Sequence, residues 1–147
     1  MSNHEDVNNP LEKALDNDSN SSIMNYNSRM IKSIKNDYLQ KLLLSRDNLK
    51  DFHEKLKNYR YVDDLTDIQY GRYIRWINLK DPNKISLTRG GIIIDIKILS
   101  NGIHLVCKNT YNHKFQIKID ECYIFQKITD QEKIILYAID NINHISK

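Results

Sequence analysis

The spacing of apolar positions changes period along the chain, and the changes divide it. From Ser28 to about Arg60, Ile31, Tyr38, Leu42, Ser45, Leu49, Phe52, Leu56 and Tyr59 fall on one stripe. The steps alternate between four and three from Tyr38 onward, with Ile31 one heptad earlier. This spacing predicts an amphipathic helix over 28–60 with an a/d seam, opened by Ser28 as N-cap. Asp37–Lys41, Lys50–Glu54 and Asp51–Lys55 add opposite charges at four-residue spacing. Lys35 and Ser45 interrupt the seam. Ser45-Arg46-Asp47-Asn48 offers a break with Ser45 or Asp47 as a new cap, but the heptad phase runs through it unshifted. The pattern therefore predicts one helix.

After an acidic linker over 61–68 the period falls to two. Tyr70–Asn78 reads as a strand, followed by a loop containing Asp81-Pro82-Asn83. Gly90-Gly91 then starts a strand in which Ile92, Ile94, Ile96 and Ile98 share the predicted inner face. Ser100-Asn101-Gly102 predicts a hairpin turn. Ile103, Leu105 and Cys107 alternate with His104 and Lys108, Phe115, Ile117 and Ile119 alternate with Lys114, Gln116 and Lys118, and Cys122–Lys127 forms a fifth strand. Thr129-Asp130-Gln131-Glu132 is a capping box that opens a short C-terminal helix over 129–147, with Ile135, Ala138, Ile139 and Ile142 on one side. The expected fold is α+β: a small antiparallel five-stranded barrel over 69–128, SH3-like or OB-like. A long N-terminal helix precedes it and a C-terminal helix packs on it. Residues 1–27, rich in Asn, Ser and Asp, show no periodic apolar face and predict a disordered acidic arm, with a short helical turn compatible with Leu11–Leu15.

Composition changes this picture in two ways. Charge is uneven although the formal net is only +3: residues 1–27 carry −4, 28–60 carry +5, 61–68 carry −3, 69–119 carry +7 and 120–147 carry −2. A basic middle favours polyanionic partners. No apolar run approaches the roughly 20 residues needed to cross a bilayer, and Met1-Ser2-Asn3-His4-Glu5-Asp6 lacks the basic and apolar regions of a signal peptide. Two cysteines, Cys107 and Cys122, make no disulfide framework. The expected setting is intracellular, without membrane association or secretion.

Candidate chemistry is thin. Tyr61-Val62-Asp63-Asp64 matches the Tyr-x-Asp-Asp box whose carboxylates hold catalytic metals in reverse transcriptases. It lacks a partner strand bearing a further Asp, so a solvated acidic linker is the expected reading. His104, Cys107, His113 and Cys122 are metal-ligand types, but on a strand His104 and Cys107 point to opposite faces. Gly90-Gly91 is followed by no Gly-Lys-Ser/Thr and no helix, so it is not a phosphate loop. The most suggestive segment is Tyr70-Gly-Arg-Tyr-Ile-Arg-Trp76. There Arg72 and Arg75, among aromatic rings, have the chemistry to clamp phosphates and stack on bases, although one face of the strand must be core. No catalytic, metal or cofactor-binding residues are assigned, no cofactor or small-molecule substrate is expected, and the protein is not expected to be an enzyme.

Ile, Asn, Lys and Tyr together supply 64 of the 147 residues, the usage of an A/T-rich genome. The stretches Tyr70–Asn78, Leu87–Asp95 and Tyr123–Thr129 resemble small uncharacterised proteins of large DNA viruses. That resemblance covers residues 70–140, carries no catalytic residues and implies a viral, virion-associated setting.

A straight helix over 29–60 would be about 48 Å long, whereas the barrel should be roughly 25 Å across. Half of the stripe would lack cover within one chain. The sequence therefore favours a non-enzymatic binding or assembly module that self-associates, or meets a partner protein, through Ile31, Tyr38, Leu42, Leu49, Phe52, Leu56 and Tyr59. Arg72, Arg75, Trp76, Lys114 and Lys118 are the expected partner-binding residues on the barrel. The alternative is a nucleic-acid-binding protein that uses the same basic surface.

Overall fold

The computed structural model describes residues 9–145. Residues 1–8 of the expected arm and 146–147 of the expected C-terminal helix lie outside them. The described chain divides into two compact units, one made of residues up to Ser33 together with those from Ile128 onward, the other of Ile34–Lys127.

The first unit is helical. Pro10–Asp16 (α1) is capped by Asn9, whose side chain accepts from the amides of Leu11 and Glu12. A 3₁₀ segment, Asp18–Asn25, follows. This region was expected to be disordered because it is poor in apolar residues. Residues 10–25 are ordered because two of their apolar side chains, Ala14 and Ile23, are fully buried beside Ile31, Ile128, Ile135 and Leu136. Polar side chains add the rest: Asn20 Nδ2 donates to Ala14 O at 2.9 Å and to Gln131 Oε1 at 3.0 Å, and Asn17 Nδ2 donates to the same oxygen at 2.9 Å. The helix Ser28–Gln40 (α2) begins in this unit, with Asn27 rather than Ser28 accepting from the Met30 amide. The last helix, Asp130–Ile145 (labelled α4), is opened by the expected capping box: Glu132 N donates to Thr129 Oγ1 at 3.2 Å and Thr129 N to Glu132 Oε1 at 3.0 Å. Its face of Ile135, Leu136 and Ile139 packs in this unit's own core.

In the second unit the continuous helix is replaced by two. α2 stops at Gln40, and Arg46–Lys55 (α3) starts again with Ser45 Oγ accepting from the Asn48 amide at 3.2 Å. Between them Leu43 takes φ 54 and is almost fully exposed. A left-handed leucine costs on the order of 1 kcal/mol, a small cost against the apolar surface that the break allows to be covered. The halves then turn back on each other. Lys35 Nζ, buried, donates to Leu56 O at 2.8 Å and Tyr59 O at 3.0 Å. It caps the end of α3 with a cation where the helix dipole favours one. Lys35, one of the two residues that interrupted the stripe, thus ties α2 to the end of α3.

Six strands form one antiparallel, open sheet: Tyr59–Val62 (β1), Tyr73–Asn78 (β2), Gly91–Leu99 (β3), Gly102–Lys108 (β4), Lys114–Lys118 (β5) and Cys122–Lys127 (β6), in the order β1-β6-β2-β3-β4-β5. The five expected strands are present, but the barrel is not closed. The sixth strand, β1, lies where the helix was expected to end and the linker to begin. Tyr59-Arg60-Tyr61-Val62 alternates as a strand does and pairs with β6, Tyr61 opposite Phe125.

The sheet is strongly curled. Trp76 on β2 and Phe115 on β5 are separated by three strand spacings, about 14 Å in a flat sheet, yet their ring centroids lie 6.1 Å apart. The concave face buries Val62, Ile74, Trp76, Ile93, Leu105, Cys107, Ile117 and Ile124. The opposite face of β1, β6 and β2 presents Tyr59, Phe125 and Ile77 to Leu39, Phe52 and Leu56 of the two helices. Tyr38 stacks on Tyr61 at 3.7 Å, with Tyr123 edge-on to both.

The isoleucine register of β3 is corrected. Ile93 is buried and pairs with Cys107, whereas Ile92 and Ile94 are exposed. The register shifts between Ile93 and Asp95, so that Ile96 pairs with Leu105 and Ile98 with Ile103. A β-bulge at Ile94 reverses the parity, so only Ile96 and Ile98 of the expected four keep the inner side. Gly90 makes the approach to β3 feasible: it has φ 88, and a Cβ there would lie 2.1 Å from Ile74 O.

Ile93→Asp is expected to lower the stability of the second unit by at least about 3 kcal/mol, by burying an unpaired charge. Ile94→Asp is expected to cost about 1 kcal/mol or less. Denaturant melts of the two variants check this, and equal losses would contradict the bulge.

Candidate functional site

The antiparallel register decides which polar side chains share a surface. Leu105 and Cys107 of β4 face the concave core, so His104, Val106 and Lys108 face outward. On β5, Ile117 and Phe115 face inward, and Lys114, Gln116 and Lys118 outward. Beyond the bulge, Lys97 of β3 lies opposite His104. Three rungs therefore cross β3, β4 and β5 on one face: Ile92–Lys108–Lys114, Asp95–Val106–Gln116 and Lys97–His104–Lys118. The outer rungs are four residues apart along β4, about 13 Å.

This outer face carries four lysines and a histidine against one carboxylate on the strands, Asp95. Asp120 stands beside Lys118 near Gly102. The α2–α3 hairpin covers the same face of the sheet over β1, β6 and β2, and no residue of β3, β4 or β5 belongs to that apolar cluster. Lys97 and Lys114 are exposed, Lys108 and Lys118 half-buried. His104 is held in place, Nδ1 accepting from Gln116 Nε2 at 3.3 Å and Nε2–H donating to Asn101 Oδ1 at 3.1 Å. Lys108 directly opposes Lys114, a pairing that is unfavourable without an anion. Lysines on the edge strand β5 also discourage edge-to-edge pairing. That explanation does not reach Lys97 and Lys108, which lie on inner strands.

Of the expected partner-binding residues, Lys114 and Lys118 belong to this face. The others do not. Arg72 is buried. Arg75 is half-buried, and its Nε donates to Thr88 O at 2.7 Å. Trp76 is 6% exposed and packs in the concave core. In the Tyr70–Trp76 segment Tyr73 Oη donates to Arg89 O at 2.7 Å, and Tyr70 Oη accepts from the Ile96 amide at 3.3 Å. Lys97 and Lys108 were missed as site residues. The signal was present, because folding the chain about the Asn101-Gly102 turn sets Lys97 opposite His104.

The expected oligomerisation stripe is distributed within the chain. Ile31 is buried in the first unit. Phe52, Leu56 and Tyr59 are buried in the second, with Leu42 and Leu49 packed beside them and Tyr38 stacked on Tyr61. The surface that was to meet a second copy is largely covered by the chain's own sheet.

Beside the turn that joins the Lys108–Lys114 rung lies a pocket of about 470 Å³. Tyr73, Trp76, Thr88, Arg89 and Gly90 line one side, and Asn109, Thr110, Tyr111 and Phe115 the other. Tyr111 is 74% exposed and Phe115 42%.

The remaining motifs resolve into structure. Asp64 Oδ1 accepts from the Thr66 amide at 3.1 Å, closing a turn after β1, so Tyr61-Val62-Asp63-Asp64 is a strand end. Among the described residues no three His, Cys, Asp or Glu side chains gather where they could hold a metal ion. No helix among them is long and apolar enough to cross a membrane. Burial, with a smaller contribution from Cys122, pushes the Cys107 thiol up to about 12. Burial and then Glu121, opposed by Lys80, push Cys122 up to about 11. No protein-family model, curated protein or solved structure matches this chain.

Both thiols are therefore expected to resist alkylation at about pH 8 in the native protein and to react only on unfolding. Below the ordinary value of 9.0 both states keep the protons. Above it the unfolded chain ionises first, so stability is expected to fall as pH rises from about 9 toward the folded values. Labelling kinetics and thermal melts between neutral and alkaline pH check the two statements. Rapid native labelling of both cysteines would contradict their burial.

Proposed function

We propose that the protein is a nucleic-acid-binding module that uses the bare outer face of β3, β4 and β5. The observation carrying this reading is the clustering of like charge across strands: Lys108 directly opposite Lys114, with Lys97 and Lys118 flanking His104 two rungs away. Adjacent cations on a rigid surface repel one another, and a phosphate backbone relieves that repulsion while releasing its own counterions. Four like charges spread over three neighbouring strands suit a repeating anion. The assembly reading drew its force from an uncovered helical stripe, which the chain covers itself.

Binding of a labelled single-stranded oligonucleotide, followed by fluorescence anisotropy, tests the proposal. Four phosphate contacts imply a loss of affinity of roughly fiftyfold between about 50 and 200 mM salt. Lys108→Glu combined with Lys114→Glu is expected to weaken binding at least tenfold while leaving the melting temperature near the wild-type value. Lys50→Glu with Lys57→Glu, the same change in net charge at exposed positions away from that face, should have a much smaller effect. Absence of binding even at low salt, or equal losses from the two pairs, would remove the proposal.

A further inference from the structure

We infer that the pocket between Trp76, Phe115, Tyr111 and Arg89 receives an unstacked nucleobase, so that the preferred partner is single-stranded nucleic acid. This rests on the nucleic-acid reading of the lysine face and adds to it a second, separate site. Three observations converge. The volume of about 470 Å³ lies within the range of ligand pockets, about 300–1,000 Å³. Its walls offer aromatic faces at two depths: Trp76, almost buried, at the floor, and Tyr111 and Phe115, well exposed, at the rim. Exposed rings beside a cavity lose their water most favourably against another flat π-system, and stacking of this kind tolerates any base.

The third observation is position. Tyr111 sits in the turn 109–113 that joins β4 to β5, and the residues flanking that turn are Lys108 and Lys114. A strand whose phosphates lie along the Lys108–Lys114 rung therefore needs only to pass the tip of this turn for its next base to reach the pocket. Arg89, exposed on the opposite wall, adds a planar cation suited to stacking or to a phosphate. The turn itself is held firmly, so the rim is pre-arranged: Asn109 Oδ1 accepts from the amides of Tyr111 and His113 at 2.9 and 3.0 Å, and the Asn109 amide donates to His113 O at 3.0 Å. Duplex DNA keeps its bases stacked and paired and can use the lysines alone.

Trp76 is the only tryptophan in the chain, so intrinsic fluorescence reports directly on the pocket. Four probes are titrated into the full-length protein at low salt: a short single-stranded oligonucleotide, the matching duplex, inorganic polyphosphate and a mononucleotide. Binding is followed by calorimetry alongside Trp emission. The expected result is quenching by the single strand, and binding without quenching by polyphosphate and duplex. Tyr111→Ala, whose exposed ring is not part of the core, is expected to lower single-strand affinity about tenfold and leave polyphosphate affinity unchanged. Phe115→Ala should act in the same direction. Equal binding of single strand, duplex and polyphosphate with no change in Trp76 emission would overturn the base pocket and leave the lysine face standing. Failure of both the oligonucleotide and polyphosphate to bind would overturn the nucleic-acid reading itself. Quenching by the mononucleotide as strong and as tight as by the strand would overturn the single-strand assignment in favour of a free nucleotide.

Discussion

A bulge at Ile94 decides what the sheet presents to its surroundings. Side chains of a strand alternate strictly, so with Ile93 in the core an unbulged β3 would turn Asp95 and Lys97 inward as well. The inserted residue reverses the parity, returns Ile96 and Ile98 to the inner side, and sends Lys97 out beside His104 and Lys118. One extra residue thus removes two charges from the concave face and completes a cationic surface on the other. Bulges also increase local twist, in keeping with a sheet curled tightly enough to bring Trp76 to Phe115 without closing.

The convex face is divided by the second constraint, the length of the helical stripe. A single helix would outrun the sheet. Breaking it at Leu43 and turning it back lets α2 and α3 cover β1, β6 and β2, with Lys35 joining the two helices through the carbonyls of Leu56 and Tyr59. The covered part carries Tyr59, Tyr61, Phe125 and Ile77, and the uncovered part carries lysines. This segregation along one sheet face places the apolar half where burial stabilises it. The charged half stays in water, where an anion can reach it.

Much of this was legible in the chain itself. Alternation located all five strands from Tyr73 to Lys127, the Asn101-Gly102 pair set the hairpin, and Thr129 with Glu132 marked the start of the last helix, because turn and cap chemistry acts over a few neighbouring residues. The outward alternation of Lys114 and Lys118 was equally local. Local pattern was silent where two distant segments compete for one surface. Whether the stripe of Leu42, Leu49, Phe52 and Leu56 stayed straight or folded back depended on how much sheet there was to cover. The switch of Tyr59–Val62 from helix end to strand depended on the free edge of β6. The parity of β3 depended on which isoleucine met Cys107, and the burial of Trp76 against Phe115 depended on the curl. The sequence by itself determined β2 to β6, the turn at Asn101-Gly102, the start of the last helix and the sign of the charge on them, since those follow from spacing and residue type. The tertiary structure alone decided the faces, since a strand's two sides differ only in what packs against them.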